Sequence, residues 1–263
     1  MWDYNERGAE SHNLDVFYVM EIPVRSSAPK RVINKLGRFL FPLDSFPKRA
    51  FNRLRQGYLD SFLKQVPGVI HVGANTGQER QYYASLGLNV LWVEPIPAVF
   101  ETLRSNIAGF ANQSACCHLL AAEHGTEYTL HVANNEGASS SIFDFAKHVE
   151  LWPEVQFTHD VQVTATTLAH LIDVEGIDLR GYGALVLDTQ GSELLVLKGA
   201  VSVLKQFRFV KAEVADFESY AGCCEMTGLT DFMCQQGFTI SRKIRFFSRD
   251  GVGNYYEVLY RRL

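Results

Sequence analysis

The feature that most restricts the fold of this 263-residue chain is a regular alternation of strand-like and helix-like segments from residue 68 onward. Short apolar runs alternate with amphipathic segments in the order 69–72, 78–86, 88–93, 97–107, 184–187, 192–207, 209–214 and 229–236. Strands that alternate with helices form a mostly parallel sheet with helices on both faces. The pattern therefore predicts an α/β fold.

Other segments extend the predicted sheet. Residues 117–122, 128–133 and 161–164 are typical of strands, and the tail at 238–261 is typical of two antiparallel strands joined at 250–253. Ligands of open α/β sheets bind at the carboxyl ends of the strands. We therefore expect the functional site directly after residues 72, 93, 121, 187 and 212.

Residues 1–66 differ from the rest and are predicted to form a helical N-terminal cap on a domain at 67–263. The interval 30–55 holds eight Lys and Arg residues against one acid, Asp44. Apolar residues at near-helical spacing follow at Phe51, Leu54, Tyr58 and Phe62. The favoured interpretation is an amphipathic helix packed on the domain with solvated basic side chains. Peripheral contact of the basic interval with an anionic partner is the alternative.

The composition limits the class of protein. Lys and Arg number 25 against 29 Asp and Glu, a net charge of −4, so we expect no nucleic-acid partner held mainly through phosphates. No run approaches the roughly 20 apolar residues of a transmembrane helix. The acidic and polar residues 1–6 do not resemble a secretion signal, so a cytoplasmic location is expected. The five cysteines, with vicinal pairs at 116–117 and 223–224, fit reduced structural thiols.

The first strand is followed by a glycine-containing loop at residues 71–79. Gly73 and Gly77 allow a sharp turn and a close approach to a ligand, and Asn75 tolerates a left-handed conformation. The loop lacks the G-x-G-x-x-G pattern of dinucleotide sites and the Gly-Lys-Ser/Thr of a P-loop. The absence of a lysine argues against a polyphosphate ligand.

A carboxylate, Glu94, ends the second strand, 17 positions after Gly77. At that place an acid can accept hydrogen bonds from both hydroxyl groups of a ribose. The alternative is a surface glutamate that stabilises a helix N-terminus. The glycine loop and the acid together favour a pocket for an adenosine without a phosphate chain.

The segment 185–200, LVLDTQGSELLVLKGA, makes a specific resemblance visible. It resembles the signature of the FkbM family of S-adenosylmethionine-dependent O-methyltransferases: an apolar strand, Asp, two residues, Gly, a small residue, Glu, and a helix ending in Lys-Gly-Ala. Residues 71–77 resemble the family's Asp-Ile-Gly-Ala-Asn-x-Gly, and residues 94–97 its Glu-Pro-x-Pro. The segments 137–141 and 166–168 also match in order and spacing. The resemblance covers roughly residues 66–260.

The resemblance implies a Rossmann-like class I methyltransferase fold, with a mostly parallel seven-stranded sheet and an antiparallel C-terminal hairpin. It implies S-adenosylmethionine as cofactor and S-adenosylhomocysteine as product. The residues expected to bind the cofactor are His71, Gly73, Ala74, Asn75, Gly77, Glu94, Pro95, Ile96, Ala122, Ser140 and Asp188. His71 departs from the family, which usually has an acid there. It is expected either to replace that acid by hydrogen bonding or to be satisfied within the sheet.

Methyl transfer to a hydroxyl group needs a base at the strand ends. Asp188 is the first candidate, and Glu193 and Glu213 are the others, although Glu193 is also well placed to stabilise its own helix. Asp188 and Glu213 are expected on adjacent strand ends, where they could bind a divalent cation. Two carboxylates are few ligands for such an ion, so metal dependence is not favoured. Histidines in the insert between the third and fourth strands are weaker candidates: His124, His131, His148 and His159. Ser139–Ser141 and Trp152 are expected to border the acceptor.

The leading hypothesis is therefore O-methylation of a sugar, of a glycolipid or polysaccharide precursor, or of a polyketide-like metabolite. The acceptor is expected to be a small molecule or glycan, and a homodimer is a further option. A nicotinamide-dependent oxidoreductase that uses Glu94 on the ribose is one alternative, disfavoured by the broken glycine pattern. A cofactor-binding protein without turnover is the other, which the unusual His71 permits.

Overall fold

The computed structural model describes residues 20–21 and 57–263. The strands in chain order are β1 (Met20–Glu21), β2 (Gly68–Val72), β3 (Asn89–Val93), β4 (Gln113–Cys116), β5 (Leu119–Leu120), β6 (Glu127–Ala133), β7 (Phe157–Thr166), β8 (Ala184–Leu187), β9 (Phe209–Ala215), β10 (Phe238–Arg249) and β11 (Gly253–Arg262). The α-helices are α1 (Arg80–Ser85), α2 (Pro97–Ile107), α3 (His148–Leu151), α4 (Leu168–Val174), α5 (Glu193–Gly199), α6 (Val201–Leu204) and α7 (Met226–Gln235). Two 3-10 helices are Asp60–Gln65 and Leu179–Gly181.

The main sheet has the strand order β1-β10-β11-β9-β8-β2-β3-β4. Strands β4, β3, β2, β8 and β9 pair in parallel, while β11 pairs antiparallel with both β9 and β10. This confirms the predicted mostly parallel sheet of seven strands with an antiparallel C-terminal hairpin. The two residues of β1 add a short edge strand beside β10 that was not expected within the N-terminal cap. The chain reverses direction across the sheet between β2 and β8, which is where α/β sheets bind ligands.

Burial explains why the central strands have apolar sequences. Every residue of β2 and β8 is buried, because helices cover both faces of the sheet. One face packs Ile70 and Leu185 against helices that include α4, α5 and α7. The other face packs Val69 and Trp92 against the 3-10 helix Asp60–Gln65, α1 and α2. Alternate residues of one strand thus serve two separate cores, which fixes the register of each strand.

The segment between β4 and β8 forms a smaller sheet with the strand order β5-β7-β6. Strand β5 pairs in parallel with β7, and β6 pairs antiparallel with β7. The helix that follows β7, α4, is capped by Thr167, whose side chain accepts a hydrogen bond from the backbone N–H of His170. This smaller sheet lies beside the site and supplies two of the loops described below.

One predicted strand was wrongly bounded. Residues 117–122 were expected to be the third strand of the main sheet, but that strand is β4, and only Leu119–Leu120 are extended in the predicted interval. β4 pairs with β3 alone in the main sheet and is partly exposed, so its sequence, Gln-Ser-Ala-Cys, has no apolar run. The more apolar Leu119–Leu120 belong to the smaller sheet.

Near the N-terminus, residues 57–59 are helical and continue into the 3-10 helix Asp60–Gln65. Lys211 of β9 holds this helix on the sheet, because its Nζ lies 3.0 Å from Asp60 Oδ1 and 3.0 Å from Glu257 Oε1. The basic interval 30–55 and most of the predicted cap at 1–66 lie outside the described residues. Within the described residues, no helix is long and apolar enough to cross a bilayer. The five cysteines are free thiols.

Candidate active site

The loop after β2 folds over the end of β3. The backbone N–H groups of Gly73 and Ala74 both donate to Val93 O, at 3.0 and 3.1 Å. Gly73 has φ +78°, and a Cβ at this position would lie 1.8 Å from the carbonyl oxygen of Asp188. Asn75 has φ +45°, which confirms the left-handed conformation expected there. The glycine thus allows the β2 loop to lie directly against the end of β8.

Helix α2 and the smaller sheet hold the same loop. Asn106 Nδ2 donates to Thr76 O at 2.8 Å, and Asn75 Nδ2 donates to the carbonyl of Glu136 at 3.1 Å. Gly77, at φ +72°, brings the loop so close to Leu103 that a Cβ would lie 2.7 Å from its Cδ1. The loop is therefore fixed from three sides before any ligand binds.

Glu94 lies at the carboxyl end of β3 with its side chain buried, 4% exposed. Its Oε2 accepts a hydrogen bond from Asn75 N at 2.8 Å, and its Oε1 accepts one from Ile96 N at 3.0 Å. Burial, with a smaller contribution from the nearby Asp188, raises the pKa of Glu94 to about 7, although the two backbone hydrogen bonds oppose the shift. Each carboxylate oxygen retains capacity to accept a second hydrogen bond.

Asp188 directly follows β8. The register pairs Leu187 with Ala212, so Asp188 and Glu213 follow side by side on adjacent parallel strands, as expected. Asp188 Oδ1 accepts a hydrogen bond from Gln190 Nε2 at 2.6 Å. Burial raises the pKa of Asp188 to about 6, and the hydrogen bond from Gln190 opposes the shift.

Glu193 begins α5, and its carboxylate folds back onto the loop that connects β8 to α5. Its Oε1 accepts from Thr189 N at 2.9 Å, and its Oε2 accepts from Gly191 N at 3.1 Å. Burial raises the pKa of Glu193 to about 7, and Asp188 adds to the rise. This carboxylate therefore shapes the loop, which is the helix-terminal role weighed from the sequence.

Glu94, Asp188 and Glu193 thus form a group of acids at the carboxyl edge of the sheet, in which Glu94 and Glu193 are buried and Asp188 is half-buried. Their hydrogen-bond donors are neutral amides, from the backbone or from Gln190. Within residues 57–263, none of the three forms an ion pair with Lys, Arg or His. The site therefore presents concentrated negative character to a ligand.

A small pocket, partly open to solvent, lies next to this group. Its lining residues are Gln190, Gly191, Glu193, Glu213, Val214, Ala215, Ser219, Tyr220, Cys223, Cys224 and Tyr255. Two of these residues are acids and none is basic. The pocket brings together Glu193 and Glu213, two of the three predicted catalytic candidates.

His71 lies within the sheet rather than in the loop. The side chain is 5% exposed, its ring stacks on Trp92 with centroids 5.0 Å apart, and its Nδ1 lies 3.2 Å from Tyr83 Oη. Burial lowers the pKa of His71 to about 4, so the ring is neutral at pH 7. These contacts match the expectation of a histidine satisfied within the sheet, and its role in cofactor binding stays a prediction.

The other predicted cofactor residues lie around the same edge. Pro95 and Ile96 follow Glu94, and Ile96 supplies one of its hydrogen bonds. Ala122 follows β5 and is half-buried. Ser140 Oγ accepts a hydrogen bond from Ala133 N at 3.0 Å and so supports its own loop. The role of these residues in cofactor binding stays a prediction.

The predicted histidines of the insert have different surroundings. His131 Nδ1 lies 2.7 Å from Asp160 Oδ1, and His124 Nδ1 lies 3.1 Å from Thr166 Oγ1. His159 is exposed on β7 and interacts with the neighbouring Thr158. His148 is buried and stacks on Phe145 and Tyr220, and burial lowers its pKa to about 4. None of the four lines the pocket beside the acids.

Trp152 packs against Phe247 and Tyr255. Because Tyr255 lines the pocket, Trp152 supports the pocket wall from behind. Ser141 Oγ donates to Gln190 O at 2.7 Å, and Ser139 O lies 3.4 Å from the Tyr220 hydroxyl oxygen. The serine run thus reaches the site through contacts with residues that line the pocket.

Sequence analysis missed Gln190, Tyr220 and Tyr255 as site residues. Gln190 lies inside the segment 185–200, and its φ of +51° was not foreseeable from its residue type. Tyr220 follows the carboxyl end of β9, and that position was a usable signal. Tyr255 arrives from β11, which runs antiparallel to β9, so its approach depends on the hairpin register. Among the described residues, no group of three or more His, Cys, Asp or Glu side chains is arranged to hold a metal ion.

Comparison with solved structures finds remote similarity to methyltransferases. One is magnesium protoporphyrin IX methyltransferase from Synechocystis PCC 6803, solved with bound SAM: 11% identity, TM-score 0.44, 83% of this chain and 85% of that chain covered. Another is the N-methyltransferase NodS from Bradyrhizobium japonicum WM9: 9% identity, TM-score 0.45, with 82% and 99% covered. A third is fibrillarin from Aeropyrum pernix: 10% identity, TM-score 0.44, with 81% and 74% covered.

No curated protein sequence matches the chain. The model of one protein family, described as the methyltransferase FkbM domain, matches residues 71–240. This interval starts within β2 and ends within β10, so it contains the glycine loop, Glu94, Asp188 and the smaller sheet. Together with the sheet order, the match identifies a Rossmann-like class I methyltransferase fold. The chain belongs to the FkbM methyltransferase family.

Proposed function

We propose that this protein is an S-adenosylmethionine-dependent O-methyltransferase that acts on a hydroxyl group of a sugar, a glycolipid or polysaccharide precursor, or a polyketide-like metabolite. The observation that carries the proposal is the group of buried and half-buried acids at the carboxyl edge of the sheet, in a member of a methyltransferase family. Those acids have raised pKa values and neutral hydrogen-bond donors. A positively charged ligand stabilises their ionised forms.

The residues present fit S-adenosylmethionine better than a dinucleotide. This cofactor carries a sulfonium and an ammonium group and no phosphate. Glu94 retains acceptor capacity for two ribose hydroxyl groups while its present hydrogen bonds hold the loop. A dinucleotide would instead bring a diphosphate to the glycine loop, next to Asp188, with unfavourable electrostatic repulsion. The same observation therefore disfavours the nicotinamide-dependent alternative.

In this proposal the side chains around the site have different roles. The loop Gly73–Gly77 and Glu94 hold the adenosine, and Glu193 keeps the loop after β8 in shape. When bound, the cofactor supplies an electrophilic methyl group. Asp188 accepts the proton of the acceptor hydroxyl, and its pKa of about 6 leaves it largely ionised at pH 7 to 8. A base positioned in this way contributes roughly 10²–10⁴-fold, and orientation of the reactants contributes up to about 7–11 kcal/mol.

The acceptor approaches at the mouth of the small pocket lined by Glu193 and Glu213, beside the strand end that carries Asp188. Glu193 and Glu213 on its lining, with no basic residue beside them, favour neutral or amine-bearing acceptors over phosphates, sulfates and uronic acids. The ring of Tyr255 lines the pocket and offers the acceptor an aromatic wall. We therefore place a neutral sugar or alcohol ahead of a nucleotide-linked or otherwise phosphorylated one.

The test is a methylation assay with the full chain and S-adenosylmethionine labelled in the methyl group. The acceptor panel contains neutral, amino, uronic-acid and phosphorylated sugars and a macrolide alcohol. We expect a labelled methyl ether, stable to base, from a neutral or amine-bearing acceptor. Asp188→Asn should abolish the product, while Asp231→Asn, on the exposed side of α7, should not.

Different results separate the parts of the proposal. A base-labile labelled ester or a methylamine would contradict O-methylation while leaving methyl transfer intact. A preference for the phosphorylated sugar would contradict the acceptor class. Absence of S-adenosylhomocysteine binding in calorimetry would overturn the proposal as a whole.

A further inference from the structure

We propose that Tyr220 is a positioning residue that acts through Gln190 to hold Asp188 in its reactive form. The chain of contacts is short and directional. The Tyr220 hydroxyl donates to Gln190 Oε1 at 2.8 Å, and Gln190 Nε2 donates to Asp188 Oδ1 at 2.6 Å. The inference rests on the proposed function, in which Asp188 is the base.

The backbone of Gln190 is held in an uncommon conformation. Its φ of +51° lies in the left-handed region, which a residue with a side chain rarely adopts. The carbonyl oxygen of Gln190 accepts a hydrogen bond from Ser141 Oγ at 2.7 Å, a contact between the smaller sheet and the loop after β8. Strain of this kind persists where surrounding contacts enforce it, and it is concentrated at functional sites.

The Tyr220 hydroxyl decides which end of the Gln190 amide faces Asp188. A side-chain amide has a donor end and an acceptor end, and a carboxylate needs the donor end. Burial raises the pKa of the Tyr220 phenol well above its ordinary value, so the group stays protonated and donates to Oε1. With Oε1 held by this donor, Nε2 points to Asp188. Without it, the amide can rotate and the Asp188 carboxylate loses its donor.

Tyr220 is itself rigidly held. Its side chain is 1% exposed and packs against Phe145 and His148, with ring centroids 5.7 and 5.2 Å away. A β-bridge joins Phe145 to Tyr220, and the N–H groups of Ala146 and His148 both donate to Ser219 O. The insert that carries Phe145 thus fixes the donor that orients Gln190.

The groups around Asp188 explain why one amide donor matters. Six titratable side chains from different elements surround Asp188. They are Glu79 before α1, Glu94 at the end of β3, Glu193 in α5, Glu213 in β9, Glu257 in β11 and Tyr220 in the loop after β9. Five are acids and one is a protonated phenol. Burial and these acids favour the protonated form of Asp188, and the Gln190 amide favours the ionised form.

The experiment is a carboxyl titration by NMR of the full chain labelled with ¹³C in the aspartate side chains. Asp188→Asn identifies the signal. We expect a pKa of about 6 for Asp188 in the unmodified protein. In Tyr220→Phe, which keeps the stacked ring, the pKa should rise by about one unit, as expected for the loss of one hydrogen bond to a charged acceptor. Methylation of an acceptor should then fall about fivefold at pH 6 and less than twofold at pH 8.

The matched control is Tyr260→Phe. The Tyr260 hydroxyl makes one buried hydrogen bond, 2.9 Å from Thr230 Oγ1, and Tyr260 pairs with Val210 at the opposite end of β9 from Glu213. This variant should lose similar stability without moving the pKa of Asp188. If Tyr220→Phe does not fold, Gln190→Met tests the same contact and should also raise the pKa. The double variant with Tyr220→Phe and Gln190→Met should raise the pKa of Asp188 no further than Gln190→Met alone, because both changes break the same chain of contacts.

An unchanged or lowered Asp188 pKa in Tyr220→Phe would overturn the inference, and so would an equal rise in Tyr260→Phe. The proposed function has a separate test within the same set of proteins. If Asp188→Asn methylates its acceptor at the rate of the unmodified protein, Asp188 is not the base, whatever Tyr220→Phe does to the carboxyl titration.

Discussion

At the residue scale, His71 shows that one residue type is compatible with two different roles. Its sequence position, where the family usually has an acid, suggested either a cofactor contact or a satisfied core histidine. The alternation of side chains along β2 puts His71 on the face of Val69, toward Trp92 and Tyr83, where desolvation keeps the ring neutral. Residue type alone does not distinguish the two cases, because the deciding partners are 12 and 21 positions away.

The pH dependence of stability tests this description of His71. Its pKa is about 4 in the folded protein and about 6.5 when unfolded, so between these values the unfolded chain binds a proton that the folded chain does not. Stability from this residue is present above pH 6.5 and is lost as the pH falls toward 4. Compared with His71→Gln, the unmodified protein should lose about 3 kcal/mol of unfolding free energy from pH 7 to 4. Urea unfolding at each pH measures the difference, and a constant difference would contradict the neutral buried ring.

Gly73 gives a second residue-scale prediction, because its missing Cβ allows β2 and β8 to approach. Gly73→Ala would place a carbon 1.8 Å from Asp188 O, at a residue with φ +78°. Gly87→Ala is the matched control, since Gly87 has φ +69° and nothing within 4 Å of the added carbon. We expect about 1 kcal/mol of destabilisation in the control and about 3 kcal/mol or more in Gly73→Ala. Equal losses in thermal unfolding would show that the close approach is unimportant.

At the scale of elements, prediction worked where an element is fully buried or clearly capped. Strands β2, β3, β8 and β9 follow from apolar runs, because each lies inside the sheet and has helices on both faces. The edge strand β4 was misplaced, because a half-exposed strand has no apolar run to mark it. Strand β7 is longer than the predicted 161–164, because residues 158–160 at its start are polar and exposed and so have no apolar run to mark them.

The contact between the 3-10 helix Asp60–Gln65 and β9 yields a prediction at the same scale. Lys211 pairs with Asp60 and Glu257 in a largely buried position, so Lys211→Met removes the cation that these two acids share. Removal of one partner from such a group costs about 3 kcal/mol or more. Thermal unfolding should show this loss in Lys211→Met, and neutralising both acids in addition should restore part of it. Arg104→Ala breaks only the exposed pair with Glu101 and should leave the unfolding temperature nearly unchanged. Similar losses in both variants would contradict the proposed tether.

At the scale of the whole molecule, the sequence predicts which strand ends carry the site but not what closes it. The glycine loop, Glu94 and Asp188 could be placed on one edge because parallel strands align their carboxyl ends. The contacts of Gln190 with Ser141 and Tyr220 join residues 49 and 30 positions apart, through an insert and a loop. Such contacts depend on how separate elements pack, which periodicity and local motifs do not encode.

The central claim is that the edge formed by β2, β3 and β8 binds S-adenosylmethionine. Calorimetric titration of the full chain with S-adenosylhomocysteine, the product, tests it most directly. We predict binding of one equivalent, a loss of affinity of about tenfold or more in Glu94→Gln, and unchanged affinity in Glu101→Gln, whose carboxylate is exposed on α2. No binding to the unmodified protein, or equal affinity in Glu94→Gln, would contradict the claim.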